Sequence, residues 1–241
     1  SAHETVRAAD GVPLDVWVLA GQDGNTGGRG TMLLLHSRGE NKSAYPYLGA
    51  AERLAKMGYD VVLPDLRGHG RSGGQYLTYG VKERADLRTV MDRMLAKHDL
   101  PKPVYVFGVN YGATVALHYA AGDDRVAGVM AISPHGDFRS TARYWYAMLP
   151  DSQFEQVLAR ATQMADFDAN DTSTLAAAGR IKAPMLLLSS PPSPAEGICA
   201  AAGGPCRVQG EASELMRFAV LEDWVADRMD ALARHGLEKP E

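Results

Sequence analysis

Much of what this chain could be is excluded by what it has little of. Across 241 residues there are two cysteines, Cys199 and Cys206. Two sulfurs with no histidine nearby fall short of the four ligands a structural zinc takes, so no metal is expected. No apolar run approaches the ~20 residues needed to cross a bilayer, so no membrane span is expected. Lys and Arg number 25 against 29 Asp and Glu, giving a net charge of -4 with no basic run. That balance argues against nucleic acid or an anionic membrane as partner. The chain opens at Ser1 without a charged-then-apolar leader. The cysteines stand seven apart in a Gly/Ala/Pro-rich stretch, a spacing that a disulfide closes in an oxidising compartment. A secreted or periplasmic setting suits the bridge, and a cytoplasmic one suits two free thiols. No histidine occurs between 136 and 234, which leaves a long stretch without an imidazole base.

What is present is enough apolar residue, 46%, to bury a sizeable core in one α/β domain over 1–241. Val12, Leu14, Val16 and Val18 alternate with polar residues, as in a half-solvated antiparallel strand at a sheet edge. Continuous apolar runs at 31–36, 59–64, 125–132 and 183–189 read as strands covered on both faces, and 206–209 as a weak one. Helical spacing at Tyr47, Leu48, Ala51, Leu54 and Ala55, at Leu87, Val90, Met91, Met94 and Leu95, and at Leu215 through Leu232 separates them. The order predicts a mostly parallel sheet with helices on both faces. Residues 138–180 read as a small helical cap-like insertion, with Tyr144, Trp145, Tyr146 and Met148 as an aromatic cluster that either lines an apolar ligand site or packs as cap core.

The organising stretch is Val104 to Leu117: an apolar strand, Gly108-x-Asn110-x-Gly112, then an apolar helix start. Strand, tight turn and helix in this order form a nucleophile elbow. The glycines allow a close backbone approach. The residue between them sits at positive φ, where Asn is better tolerated than most side chains, so Asn110 should keep the turn and relax it. A carboxamide nitrogen has no free lone pair to release as a nucleophile, so Asn110 keeps the geometry without the chemistry.

With Leu35-His36-Ser37-Arg38-Gly39-Glu40-Asn41, Leu63 to Gly73, the elbow, and Ile181 to Leu188 in this order, the chain resembles the α/β-hydrolase family, in particular its serine esterase, lysophospholipase and serine-aminopeptidase-like branch. The resemblance implies a central sheet of about eight strands and no cofactor. It also implies an oxyanion hole built from backbone N–H groups near Ser37 or Arg38 and of Tyr111. The family's acid position falls on Ser193 and its histidine position on Ser213. With Asn110, all three triad positions are degenerate. Three departures in separate loops point to a chain released from hydrolysis, a pseudoenzyme that holds a small apolar or acyl-type ligand, or a protein partner, in the old crevice.

The alternative is an active, rewired hydrolase with a displaced base. His135 follows the strand beside the elbow strand, so His135 and Asp137 with Ser133 or Thr114 could form a substitute site. His36, His69 and His118 read as structural, and His3, His98 and His235 as solvated. Asp65, Arg67 and Arg71 in the glycine-rich loop read as ties between strand and helix rather than as a charged site.

Overall fold

The computed structural model describes residues 1–22, 28–44, 47–189, 193–210 and 221–235. In chain order these form β1 (Ala2–Arg7), β2 (Pro13–Leu19), β3 (Thr31–Leu35), α1 (Tyr47–Lys56), β4 (Asp60–Pro64), α2 (Glu83–His98), β5 (Val104–Val109), α3 (Tyr111–Ala120) and β6 (Val126–Ile132). Then follow α4 (Phe138–Trp145), α5 (Asp151–Ala165), a 3-10 turn (Ala169–Thr172), α6 (Thr174–Ala178), β7 (Met185–Leu188), α7 (Ala195–Ala200), β8 (Cys206–Gln209) and α8 (Leu221–His235). The strands form one eight-stranded sheet in the order β1-β2-β4-β3-β5-β6-β7-β8. β2 runs antiparallel to β1 and β4, and every other neighbouring pair is parallel.

Strand periodicity explains why both faces are dry. Successive side chains of a strand point to opposite faces, so a continuous apolar run feeds two cores at once. Leu33 and Leu35 of β3, Val104 and Val106 of β5, Val129 and Ala131 of β6 and Met185 and Leu187 of β7 enter one core with α2, α3 and α7. Met32 and Leu34, Tyr105 and Phe107, Met130 and Ile132, and Leu186 and Leu188 enter the other with α1 and α8. Burying each of these side chains contributes about 1.5–3 kcal/mol. A third, small cluster of Ala142, Phe154 and Leu158 holds α4 to α5.

Two features depart from the sequence reading. The edge strand is β1, and β2 lies second, because Ala2 to Arg7 pair with Val18 to Pro13 by backbone hydrogen bonds that a run with one buried apolar residue, Val6, does not advertise. The cysteine stretch is not all loop: Cys199 lies in α7 and Cys206 opens β8. Their sulfurs are bonded, with Cα atoms 5.4 Å apart. No helix of the described residues is long and apolar enough to cross a membrane.

The glycine-rich loop after β4 is held by buried charge. Lys42, 3% exposed, pairs with Asp65 at 2.6 Å and with Asp15, and Asp65 also accepts from the Arg71 N–H at 2.8 Å. Arg67 grips Asp86 of α2 with two bonds of 2.6 Å and reaches Asp10 at 3.0 Å. Such forked pairs fix geometry, so Asp65 and Arg67 tie strand to helix as read from sequence. Phe107, 1% exposed, tests the packing of the α1/α8 face. Phe107→Ala is expected to lower the unfolding free energy by ~3–5 kcal/mol, read as a lower urea midpoint at unchanged slope. A loss under ~1 kcal/mol would show that this face is not close-packed.

Candidate functional site

The elbow is built by backbone contact. A Cβ on Gly108 would lie 2.3 Å from the Gly112 carbonyl oxygen, and one on Gly112 would lie 2.5 Å from the carbonyl oxygens of Leu35 and His36. Neither position admits a side chain without moving β3, β5 or α3. Asn110 between them has φ 49° and ψ −110°. The positive φ is the expected one, but the ψ lies far from the left-handed basin that Asn favours. Asn therefore does not relax the turn, which retains a strain of ~1–3 kcal/mol. It is anchored by its own N–H, which donates to Ile132 at 2.8 Å, and by its carbonyl, which accepts from Thr114 N–H at 3.1 Å. Its carboxamide hydrogen-bonds to no described residue.

Of the N–H groups named as oxyanion donors, that of Ser37 is engaged. It donates to the Tyr47 hydroxyl at 3.0 Å, which in turn donates to Glu40 at 2.5 Å. Ser37 therefore drops out of the set. The N–H groups of Arg38 and Tyr111 donate to no described residue, and Tyr111 opens α3, where the first N–H groups have no intrahelical partner.

Ser193, in the acid position, accepts from the Ala195 N–H at 3.0 Å and so caps the turn into α7. Ser213 lies outside the described residues. His135 presents its ring to the crevice, 5.9 Å from Tyr79, with no hydrogen bond to the imidazole from a described residue. Burial first, then the charge of Arg38, holds its pKa below the ordinary value. Asp137 does not join it: its carboxylate accepts from the Ser140 N–H at 2.6 Å and caps α4. The Thr114 hydroxyl accepts from the His135 backbone N–H at 2.9 Å, and the Ser133 N–H donates to Leu188 at 2.7 Å. The displaced candidates are neighbours in the fold, but no nucleophile, base and acid are linked among them.

The other histidines hold structure. His36 donates from Nδ1 to the Ser37 carbonyl at 2.8 Å and accepts at Nε2 from Leu66 N–H at 3.0 Å, which fixes the neutral tautomer and ties the loop after β3 to the loop after β4. His69 bonds the Arg67 carbonyl at 2.9 Å, and His118 the Thr172 carbonyl at 3.2 Å. His3 is not simply solvated, since it bonds Asp15 at 2.6 Å, and His98 lies 3.4 Å from Glu4.

Sequence reasoning missed the residue that gathers the aromatic rings beside the elbow. Tyr79, 2% exposed, stacks edge-on against Tyr111 at 5.3 Å and lies 5.1 Å from Phe138 and 6.5 Å from Trp145. It adopts φ 52°, a strained conformation for an aromatic residue. Buried Glu83, the first residue of α2, fixes it by accepting from the Thr78 N–H, the Thr78 hydroxyl and the Gly80 N–H at 2.9, 2.7 and 2.9 Å. The available signal was Thr78 and Gly80 just ahead of an acidic first turn, a helix-start pattern. The cap aromatics divide: Trp145 faces Tyr79 and carries the Arg38 guanidinium 4.0 Å over its ring, while Tyr144 and Met148 are 83% and 96% exposed. The cluster is thus neither cap core nor, beyond Trp145, part of the crevice wall. A separate open groove of about 680 Å³ runs along α5, lined among others by Arg139, Glu155, Gln163 and Asp168.

An eight-stranded sheet of this order, with a strained residue between glycines at the end of β5, defines a class. Residues 30–174, more than half of the chain, match the α/β hydrolase fold family, and the chain belongs to that family. The uncharacterized protein YqkD of Bacillus subtilis (strain 168) is 29% identical over 145 residues, 56% of this chain and 46% of that protein. The match thus spans less than half of that relative's length. The chain is similar in fold to esterase Pf2001 of Pyrococcus furiosus (TM-score 0.71, 21% identity, 97% of this chain and 91% of that one). It is likewise similar to an acetyl xylan esterase from Paenibacillus sp. R4 (TM-score 0.72, 17% identity, 95% and 83%). Est1E from Butyrivibrio proteoclasticus, solved with ferulic acid bound, gives a TM-score of 0.71 at 15% identity over 94% and 97%.

Burial holds the pKa of both His36 and His118 down to about 4. Because the folded value lies below the unfolded one of about 6.5, the unfolded chain takes up protons first as pH falls. Stability is then full above pH ~6.5 and declines by roughly 3 kcal/mol per histidine toward pH ~4. The urea midpoint measured across this range should fall, with His118→Gln removing about half of the decline. A midpoint that stays flat would contradict the buried neutral state.

Proposed function

We propose that this member of the α/β hydrolase fold family no longer hydrolyses esters and uses the elbow crevice to hold a small apolar or acyl-type ligand. The observation that carries the reading is Asn110. Its amide occupies the nucleophile's strained position and contacts no described imidazole or carboxylate. Hydrolysis at an elbow needs an oxygen or sulfur made nucleophilic by a base within hydrogen-bond reach, and an amide nitrogen cannot supply that. The wall of Tyr79, Phe138 and Trp145 suits an apolar body, and the free N–H groups of Arg38 and Tyr111 suit a carbonyl or carboxyl oxygen. That Est1E holds ferulic acid is in keeping with an acyl-type ligand.

The purified protein is expected to cleave p-nitrophenyl acetate and butyrate no faster than a heat-denatured control. Asn110→Ser should not restore turnover, since a hydroxyl without a base gains little. Family-typical turnover that disappears in Asn110→Ala would overturn the reading. Turnover that disappears in His135→Ala would favour the rewired hydrolase instead.

A further inference from the structure

Several donors around the elbow have no acceptor among the described residues. Arg38 makes no ion pair or hydrogen bond through its guanidinium to a described residue, and its only side-chain contact of this kind is with the face of Trp145 at 4.0 Å. Stacking uses the face of a guanidinium and leaves the in-plane N–H groups free, in a fork that matches a carboxylate. The Tyr79 hydroxyl has no partner among the described residues, and the residue is 2% exposed. The backbone N–H groups of Arg38 and Tyr111 are free, and Tyr111 begins the ten-residue α3, whose N-terminus carries about half a positive charge.

The carboxylates near this crevice are already engaged. Glu83 holds the Tyr79 loop, Asp137 caps α4, and Glu40 accepts from Tyr47. Positions 110 and 193, where the family places a nucleophile and an acid, carry neutral side chains. Burial first, then the charge of Arg38, opposes protonation of His135, while burial raises the Tyr79 pKa against the pull of Arg38. A neutral ester would leave this positive field unanswered, whereas an anion would answer it.

We propose that the elbow crevice recognises a free carboxylate, with the Arg38 guanidinium, the Tyr79 hydroxyl and the N–H groups of Arg38 and Tyr111 as donors, and the Tyr79, Phe138 and Trp145 rings against the ligand's apolar body. This rests on the reading of the crevice as a binding site and specifies its ligand as an acid, the form an esterase would release rather than accept. Water fills the same donors when the acid is absent. Selectivity over neutral analogues therefore measures the net gain of charge-assisted bonds over solvation.

Isothermal titration calorimetry of the full chain with octanoate and 3-phenylpropanoate, each against its primary amide, and with inorganic phosphate, tests this. The acids should bind at least ~10-fold more tightly than their amides, a difference typical of one charge-assisted pair. Arg38→Gln should abolish that preference, bringing acid affinity down to that of the amide, and Tyr79→Phe should weaken acid binding several-fold. Equal binding of acid and amide, or a preference that survives Arg38→Gln, sinks the carboxylate assignment but leaves the apolar-ligand reading standing. Binding of neither class sinks both, and phosphate competing as well as the acids replaces a carboxylate site with a general anion site.

Discussion

Backbone lies directly against backbone where the loop after β3 meets the first turn of α3, and the rest of the site follows from that contact. Because Gly112 abuts the carbonyls of Leu35 and His36, and Gly108 abuts Gly112, the chain must turn from strand to helix within a few residues. The turn forces residue 110 to positive φ and lifts its side chain above the sheet. The strain is present although residue 110 is an amide. An Asn with ψ −110° draws no benefit from its tolerance of the left-handed basin, so the surrounding packing, not the residue, holds the conformation.

A fold that presents a reactive oxygen also presents the groups that stabilise charge beside it, and those groups are largely backbone. They persist when the side chains change, because an N–H at a helix start is there whatever residue carries it. At this elbow the N–H groups of Arg38 and Tyr111 donate to no described residue, and the Arg38 guanidinium stacks on Trp145, which lies near the Tyr79 ring. Chemistry and recognition are separable here: the first needs three side chains in register, the second only a concave surface with matched polarity.

The neighbouring loops are pinned by buried polar clusters of one design, in which a single carboxylate accepts from several backbone N–H groups. Glu83 fixes the Tyr79 turn, and Asp65 with Lys42 fixes the glycine-rich loop. These clusters are stiff because removing any one partner leaves a buried charge unpaired. Glu83 sets the turn that carries Tyr79 through bonds that no apolar pattern records.

The sequence by itself determined the doubly covered sheet, the elbow and the amide at position 110. Apolar runs and paired glycines are local signals, and the inability of an amide to attack is a property of one residue. It did not determine that β1 is the edge strand, since that strand forms by pairing with a distant partner rather than by its own pattern. Nor did it show that Asp137 serves a helix, that Ser37 serves Tyr47, or that Tyr79 packs against Tyr111 beside the elbow. Those assignments depend on which of several possible partners a polar group meets. Only the tertiary structure decided that, because a hydrogen bond is fixed by position in space and not by distance along the chain.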